Sequence, residues 1–202
     1  YSTEGTLKPY YVVERIYELT KGNAVITTEV GQNQLWAAQC YKYTKPRQFI
    51  SSGGLGTMGY GLGACIGAQI GKPDKKVINI AGDGSFRMNM NEIATAVEYK
   101  LPIIIAILNN RVLGMVRQWQ ELFYNKRFSS TTIDRETDFV ALAEAFGAVG
   151  INVEKPEEVD DALKKALESK DRPVLINFEI DRDDKVFPIV PPGAAIDELI
   201  EE

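Results

Sequence analysis

Short apolar runs alternate along this chain with longer segments of helical periodicity, and this alternation limits the fold more than any other feature. The longer runs cover residues 77–81, 103–108, 148–153 and 174–180, and shorter ones cover 24–28 and 48–51. A strand that is apolar on both faces is typical of a parallel sheet with helices on both sides. The sequence therefore predicts an α/β fold with a parallel sheet of about six strands and helices on both faces.

The segments between the runs carry helical periodicity and helix end signals. The predicted helices cover residues 8–21, 34–40, 91–99, 138–146 and 156–169, with a further helix that ends near Ile70. An aromatic-rich stretch at 115–128 leads into a polar loop that runs through Arg135. Neither an internal repeat nor a low-complexity linker interrupts the pattern, so we expect residues 1–202 to form one domain.

The composition excludes several classes of function. A net charge of −5 over 202 residues gives no basic surface for nucleic acid. No apolar run reaches the length of a membrane span, and no signal peptide is visible. Cys40 and Cys65 lack metal-type spacing, which indicates reduced thiols in the core of a cytoplasmic protein. We expect neither nucleic acid nor membrane as a partner.

Two further observations bear on catalysis. The chain has no histidine, which removes the commonest general base and the usual hydrolytic triads. Any catalysis is therefore expected to depend on a cofactor. The sequence begins at Tyr1 rather than at methionine, so we expect a fragment of a longer chain.

The segment Gly54-Leu55-Gly56-Thr57-Met58-Gly59 matches the dinucleotide-binding pattern Gly-x-Gly-x-x-Gly. It does not follow the first predicted strand, where that pattern is expected. The strand after it ends at Asp83, which is flanked by glycines and suits a phosphate better than a ribose. Three interpretations stay open: a nicotinamide site, close packing at a helix start, and backbone that approaches a cofactor ring.

Polar residues follow two of the apolar runs, at the point where each strand is expected to end. Gly82-Asp83-Gly84-Ser85 follows the run 77–81, and Asn109-Asn110 follows the run 103–108. Ligands of open parallel sheets bind beyond the carboxyl ends of the strands. One predicted helix joins the two strands, so we expect their ends to lie close together.

The side chains at these ends suit a magnesium ion that is shared with a diphosphate. Asp83 offers one anionic oxygen and Asn110 a neutral one, and phosphate and water usually complete the coordination of Mg²⁺. Gly82 and Gly84 let the backbone approach oxygen atoms, and Ser85 offers a hydroxyl at a helix start. The alternative is structural: an Asp-Gly turn and an Asn-Asn helix cap.

Gly-Asp-Gly-Ser followed by Asn-Asn at this spacing is similar to the signature of thiamine-diphosphate-dependent enzymes. Four further stretches resemble the catalytic subunits of the acetohydroxyacid synthase (acetolactate synthase) family. They are Glu29-Val30-Gly31-Gln32, Ser52-Gly53-Gly54-Leu55-Gly56-Thr57-Met58-Gly59, Leu113-Gly114-Met115-Val116-Arg117-Gln118-Trp119 and Val190-Pro191-Pro192-Gly193-Ala194. The resemblance covers essentially the whole chain. It corresponds to the family's C-terminal diphosphate-binding domain, without the N-terminal pyrimidine-binding and central FAD-binding domains.

The resemblance implies a role for individual residues. Asp83 and Asn110 would bind Mg²⁺ through their side chains and Val112 through its backbone carbonyl. The cofactor-binding residues would be Gln32, Gly56, Met58, Gly82, Gly84, Ser85 and Asn110. Two residues would belong to the catalytic machinery. Met58 would force the bent shape of the cofactor, and Trp119, with Met115 nearby, would shape the site of the second substrate.

One position departs from the family pattern, which commonly has histidine between two glutamines. This chain has Asn33 between Gln32 and Gln34. The family's histidine helps to bind the diphosphate, whereas Asn33 could supply one neutral hydrogen bond there.

The activity implied is condensation of two 2-keto acids, pyruvate with pyruvate or with 2-ketobutyrate, with loss of CO₂. The product would be 2-acetolactate or 2-aceto-2-hydroxybutyrate, in branched-chain amino acid biosynthesis. The activating glutamate would come from the pyrimidine-binding domain of a partner subunit, so the isolated chain is expected to be inactive. A homodimer or tetramer, FAD in the parent enzyme and a regulatory subunit are also implied. The rivals are other thiamine enzymes, such as pyruvate oxidase, glyoxylate carboligase and sulfoacetaldehyde acetyltransferase, and a binding module without catalysis.

Overall fold

A computed structural model describes residues 6–133 and 137–201 of the chain. The α-helices are α1 Pro9–Thr20, α2 Gln32–Cys40, α3 Tyr60–Gly71, α4 Asp83–Phe86, α5 Ile93–Glu98, α6 Gly114–Phe123, α7 Phe139–Ala145 and α8 Val159–Glu168. The strands are β1 Val25–Thr28, β2 Phe49–Ile50, β3 Val77–Gly82, β4 Ile104–Asn109, β5 Val149–Val153 and β6 Val174–Glu179. Short 3₁₀ turns, Met90–Glu92 and Pro156–Glu158, precede α5 and α8.

The six strands form one parallel sheet in the order β2-β1-β3-β4-β6-β5. The predicted α/β fold with about six parallel strands is therefore confirmed. The predicted segments differ from the structure in their ends and in the 3₁₀ turns that open two of the predicted helices. Two helices were not predicted: α4 forms directly after β3, and α6 occupies most of the aromatic-rich stretch. The polar loop predicted to run through Arg135 falls partly on residues 134–136, outside the described ranges.

Helices cover both faces of the sheet, as the apolar strands predict. On one face the core contains residues of α1, α2 and α8 packed with Ile104, Ala106 and Leu108 of β4. On the other face it contains residues of α3, α5 and α7 packed with Ile105 and Ile107 of the same strand. Alternate residues of β4 thus enter opposite cores, which is why its sequence is apolar throughout.

Cys40 and Cys65 are both free, as predicted, and Cys65 is buried. Within the described ranges, no helix combines the length and the apolar character that crossing a bilayer requires.

Candidate cofactor and metal site

The order of the strands creates a crevice at the carboxyl edge of the sheet. β1 lies between β2 on one side and β3 on the other, so the connections leaving this point run in opposite directions. Such a switch point is where open α/β sheets bind ligands. Gly82 at the end of β3 pairs in register with Leu108 of β4. The structure therefore brings Asp83 and Asn110, predicted to act together, onto neighbouring strand ends.

A cavity of about 400 Å³ opens at this edge. Five of the predicted site residues line it, namely Gln32, Met58, Gly82, Ser85 and Asn110. Between Gly82 and Ser85 in sequence lies Asp83, which is 1% exposed. The cavity thus joins residues from the ends of β1, β3 and β4 with the glycine-rich segment.

Asp83 is a buried carboxylate, and neither of its oxygens has a hydrogen bond of good geometry, although backbone N–H groups of Asp83, Gly84 and Asn110 lie near it. Burial raises the pKa of Asp83 to about 6, against the lowering effect of Arg87 and of nearby backbone N–H groups. A buried charge without a partner costs several kcal/mol, so such groups usually bind an ion or become neutral. A cation at this position would supply the partner that the carboxylate lacks.

Gly84 follows Asp83 in the short helix α4. A Cβ at this position would lie 2.6 Å from the side chain of Leu113. The glycine therefore has a packing requirement of its own, because the loop after β4 lies directly against it. This contact also keeps the β3 and β4 ends close to each other.

The turn after β4 fixes the second predicted ligand. Arg111 has a left-handed backbone with φ of 60°, and the chain turns back so that Val112 N–H donates to Asn110 Oδ1 at 3.2 Å. The side-chain nitrogen of Asn110 donates to Gln32 Oε1 at 3.2 Å. Asn110 and Val112 are both buried. Their oxygens thus belong to a fixed turn rather than to a free loop.

Glu29, which the sequence did not single out as a site residue, is fully buried at the end of β1. Its carboxylate accepts hydrogen bonds from the backbone N–H of Gly59 at 2.9 Å and of Leu62 at 3.0 Å. The hydroxyl of Ser85 donates to it at 2.6 Å. Because the Ser85 hydrogen is used here, the backbone N–H of Ser85 is the donor that remains for a phosphate.

The glycine-rich segment lies in the loop between β2 and α3. A Cβ at Gly54 would meet no atom within 4 Å, whereas at Gly61 it would lie 2.6 Å from the backbone nitrogen of Glu29. Close packing at the helix start therefore applies to Gly61, outside the motif. It applies also to Gly59 at the end of the motif, where a Cβ would lie 3.1 Å from that of Met88 and φ is 85°. Gly56 is exposed in the loop, and Met58 at its end is partly buried against the cavity.

Two polar side chains of α2 use their donors inside the protein. Gln32 Nε2 donates to Gln118 Oε1 and to the backbone carbonyl of Asp184, both at 2.9 Å. Asn33 Nδ2 donates to the backbone carbonyls of Glu29 and Ile80, both at 2.9 Å. Since each side-chain amide has two hydrogens, neither has one left for a diphosphate. The hydrogen bond expected from Asn33 is therefore not available in this geometry.

Trp119 lies outside the first cavity, on α6. It is 37% exposed and packs edge-to-face on Phe123 at 5.7 Å between ring centroids. It lines a second cavity of about 510 Å³ together with Met115, which also lines the first. Trp119 thus lies in a cavity next to the one lined by Met58, and Met115 and Val116 line both cavities.

The oxygen atoms at this edge suit the predicted cation better than a transition metal. No cluster of three or more His, Cys, Asp or Glu side chains that could hold a metal ion is found in residues 6–133 and 137–201. A transition-metal site of that kind therefore has no support there. One carboxylate, one amide oxygen and one backbone carbonyl, with oxygens from phosphate and water, fit the preference of Mg²⁺. The open oxygens of Asp83 make this edge suitable for such an ion.

A family model described as "Thiamine pyrophosphate enzyme, C-terminal TPP binding domain" matches residues 29–178. The chain belongs to this family. Thiamine pyrophosphate is another name for thiamine diphosphate, so the membership supports the predicted cofactor. It favours the cofactor-ring interpretation of the glycine-rich segment over the nicotinamide one. The matched range contains the residues predicted to hold the diphosphate and the metal.

Similar proteins support the narrower resemblance as well. The acetolactate synthase large subunit of Haemophilus influenzae is 42% identical over 198 residues, which are 98% of this chain and 35% of that protein. The probable large subunit of Methanococcus aeolicus is 46% identical, over 96% of this chain and 33% of that protein. The mitochondrial catalytic subunit of Saccharomyces cerevisiae is 47% identical, over 96% and 28%. The predicted resemblance to acetolactate synthase catalytic subunits is confirmed. The chain spans about a third of the length of these relatives.

Proposed function

We propose that this chain is the domain of an acetolactate synthase that holds thiamine diphosphate through Mg²⁺. The observation that carries the proposal is the buried carboxylate of Asp83, whose two oxygens have no partner beside a cavity of about 400 Å³. A domain that binds a diphosphate without a metal would have no need of a carboxylate there, since the two negative charges repel each other.

At the diphosphate end of the cavity, one group of residues would bind the cation and another would bind the phosphate oxygens. Asp83, Asn110 and the backbone carbonyl of Val112 would hold the cation. The backbone N–H groups at Gly84 and Ser85 would bind phosphate oxygens. Glu29 keeps Ser85 in place through the 2.6 Å hydrogen bond. When bound, thiamine diphosphate supplies an electron sink for decarboxylation of a 2-keto acid.

The residues at the other end would act on the ring and the second substrate. Met58 would support the bent cofactor, and the backbone at Gly56 and Met58 would hold the aminopyrimidine. The partly exposed Trp119 would contact the second 2-keto acid and exclude water from it. Met115 lines both cavities, which supports the placement of these two functions side by side.

The reaction proposed is the condensation of pyruvate with pyruvate or 2-ketobutyrate, with release of CO₂, in branched-chain amino acid synthesis. The rest of the active site would come from the pyrimidine-binding domain of a partner subunit, in a homodimer or tetramer. FAD would bind elsewhere in the parent enzyme. The relatives include proteins named as large subunits, which supports a regulatory small subunit as a further partner. The proposed location of the enzyme is the cytoplasm.

Calorimetry on the intact protein tests the cofactor site. Thiamine diphosphate should bind in the presence of Mg²⁺ and lose at least tenfold in affinity when Mg²⁺ is chelated. Asp83→Ala should remove this Mg²⁺ dependence, because the only carboxylate proposed for the ion is lost. Cofactor binding that is unchanged in Asp83→Ala would contradict the site assignment.

Activity separates the proposed enzyme from a module that binds the cofactor without catalysis. Acetolactate should form from pyruvate with the intact protein and be absent with a protein limited to residues 1–202. Synthesis by residues 1–202 alone would contradict the requirement for a partner domain. Cofactor binding without any product from the intact protein would favour the binding module.

A further inference from the structure

A chain of side-chain amides links the predicted metal ligand Asn110 to the backbone that follows β6. Asn110 Nδ2 donates to Gln32 Oε1 at 3.2 Å. Gln32 Nε2 donates to Gln118 Oε1 at 2.9 Å. Gln118 Nε2 donates in turn to the backbone carbonyl of Val186 at 2.9 Å. All three amide side chains are at least nine-tenths buried, so water does not compete for these hydrogen bonds.

The backbone of Val186 sets the direction of the Gln118 amide, where this chain of amides begins. An amide side chain can be turned over, which exchanges its oxygen and its nitrogen, whereas a peptide group cannot. Gln118 is bonded to both polar groups of Val186: it donates to the carbonyl and accepts from the N–H at 3.0 Å. A reversed Gln118 amide would place two donors together and two acceptors together. Its Oε1 is therefore fixed as the atom that faces Gln32.

This direction is passed on to Asn110 one amide at a time. Because Gln118 presents an oxygen, Gln32 must present its nitrogen to it, and a second acceptor, the carbonyl of Asp184, holds that nitrogen at 2.9 Å. Gln32 Oε1 then faces Asn110 and requires a donor there. The nitrogen of Asn110 is used by this contact, which leaves its Oδ1 on the other side of the amide group.

We propose that Gln118 is a positioning residue that keeps the oxygen, and not the nitrogen, of Asn110 available to the cation. The inference rests on the proposed function, since it assumes that Asn110 binds Mg²⁺. An amide nitrogen has no free lone pair for a hard cation, so a reversed Asn110 would remove one ligand. The hydrogen bond from Val112 to Asn110 Oδ1, at 3.2 Å, is a single contact of the same turn. The amide chain adds a second constraint from a distant part of the fold.

The test measures the affinity of the intact protein for Mg²⁺ by calorimetric titration, at saturating thiamine diphosphate. Gln118→Met keeps the length of the side chain and removes both hydrogen-bonding atoms. Mg²⁺ affinity should fall about tenfold or more, as when a group that orients a metal ligand is removed. An affinity within twofold of the wild type, in a folded variant, would overturn the inference.

Gln120→Met is the matched control. Gln120 lies on the same helix and makes a similar two-way contact with the backbone of Ser129, through its Nε2 at 3.0 Å and its Oε1 at 3.4 Å. Its Oε1 also accepts from the Thr131 hydroxyl at 3.1 Å. It takes no part in the amide chain. Both variants should lose some thermal stability, but Gln120→Met should leave Mg²⁺ affinity within twofold. Equal losses of Mg²⁺ affinity in the two variants would mean that α6 acts through general packing, against the inference.

A double-mutant cycle checks that the effect passes through Gln32. Gln32→Met alone should weaken Mg²⁺ binding about as much as Gln118→Met, and the double variant should lose less than twofold more. Losses that multiply would overturn the proposed path. If Gln118→Met does not fold, Gln118→Asn, which keeps an amide but shortens it by one methylene, should show the tenfold loss, and an unchanged affinity there would count against the inference.

The outcome for the wild type separates this inference from the proposed function. A wild-type protein without Mg²⁺-dependent binding of thiamine diphosphate overturns both. In the other case, the wild type binds Mg²⁺ and thiamine diphosphate and the Asp83→Ala variant does not. If Gln118→Met and Gln118→Asn then bind Mg²⁺ as tightly as the wild type, the proposed function is supported and only the inference is overturned.

Discussion

Two carboxylates end neighbouring strands of this sheet and are equally buried, yet their surroundings are opposite. Glu29 follows β1 and is 0% exposed, and Asp83 follows β3 and is 1% exposed. Glu29 accepts hydrogen bonds from Gly59, Leu62 and Ser85, whereas neither oxygen of Asp83 has a partner. Burial is therefore common to the two carboxylates. The number of unused acceptor oxygens is what distinguishes Asp83, the proposed metal ligand, from Glu29.

The helix start next to each carboxylate explains the difference. The first backbone N–H groups of a helix have no partner within it, and those at the start of α3 meet Glu29. The acceptors of the Glu29 carboxylate are thus used by N–H groups at the helix start, and these hydrogen bonds hold the glycine-rich loop against the sheet. Asp83 is itself the first residue of the short helix α4. No second helix presents its N-terminal turn to this carboxylate among the contacts of the described residues.

The largest effect is expected from Glu29→Gln in the metal-free and cofactor-free protein. The substitution replaces one acceptor oxygen by an NH₂ group that faces a backbone N–H, and it weakens the remaining bonds because the charge is lost. The free energy of unfolding should fall by about 3–4 kcal/mol, measured by urea unfolding. A loss below about 1 kcal/mol would contradict the structural role given to Glu29.

Asp83→Asn is the counterpart of Glu29→Gln, with a change of opposite sign and smaller size. The ordinary pKa of this carboxyl, 3.8, rises to about 6 in the folded metal-free chain. The folded state therefore binds the proton more tightly than the unfolded state, so the carboxyl costs no stability below pH 4. Its cost develops as the pH rises to about 6 and persists above. Asp83→Asn should stabilise the metal-free protein by about 3 kcal/mol at pH 7.5 and by little at pH 4.

The measurement is urea unfolding of wild type and Asp83→Asn at both pH values, in the presence of a chelator. Saturating Mg²⁺ and thiamine diphosphate should reverse the order, because the wild type gains binding energy that Asp83→Asn lacks. If Asp83→Asn destabilised the metal-free protein at pH 7.5, Asp83 would have partners comparable to those of Glu29. The contrast between the two residues would then be lost.

The sequence predicts one member of this pair and not the other, for a physical reason. Asp83 stands with glycines directly after an apolar run, and Asn110 ends the next run, so strand ends alone place both. Two of the three partners of Glu29 are backbone N–H groups, those of Gly59 and Leu62 about thirty residues away, and the third is the hydroxyl of Ser85. Backbone donors leave no mark in the sequence, so no local pattern could have shown this role.

The same holds for Gln118 and for the order of the strands. Gln118 is 2% exposed while its neighbour Trp119 is 37% exposed, which reverses the pattern expected of an amphipathic helix. Its contact with Gln32 spans 86 residues. Apolar runs predicted the number and parallel direction of the strands, but not that β6 lies between β4 and β5. That position depends on packing between distant segments.

The smallest effect is expected from Ser85→Ala, which tests the link between the two carboxylates. Ser85 Oγ donates to Glu29 at 2.6 Å and accepts from Gly59 N–H at 3.0 Å, but Gly59 keeps its bond to Glu29. The loss should be about 1–2 kcal/mol in urea unfolding of the metal-free protein. Combined with Glu29→Gln it should be clearly less than additive, because both changes break the same hydrogen bond. Combined with Asp83→Asn the two changes should add, because no hydrogen bond joins Ser85 to Asp83 among the described contacts.

Two results would contradict this account of Ser85. Additive losses of Ser85→Ala and Glu29→Gln would mean that Ser85 stabilises the sheet edge independently of the Glu29 carboxylate. Non-additive effects of Ser85→Ala and Asp83→Asn would mean that Ser85 interacts with the proposed metal site rather than with Glu29.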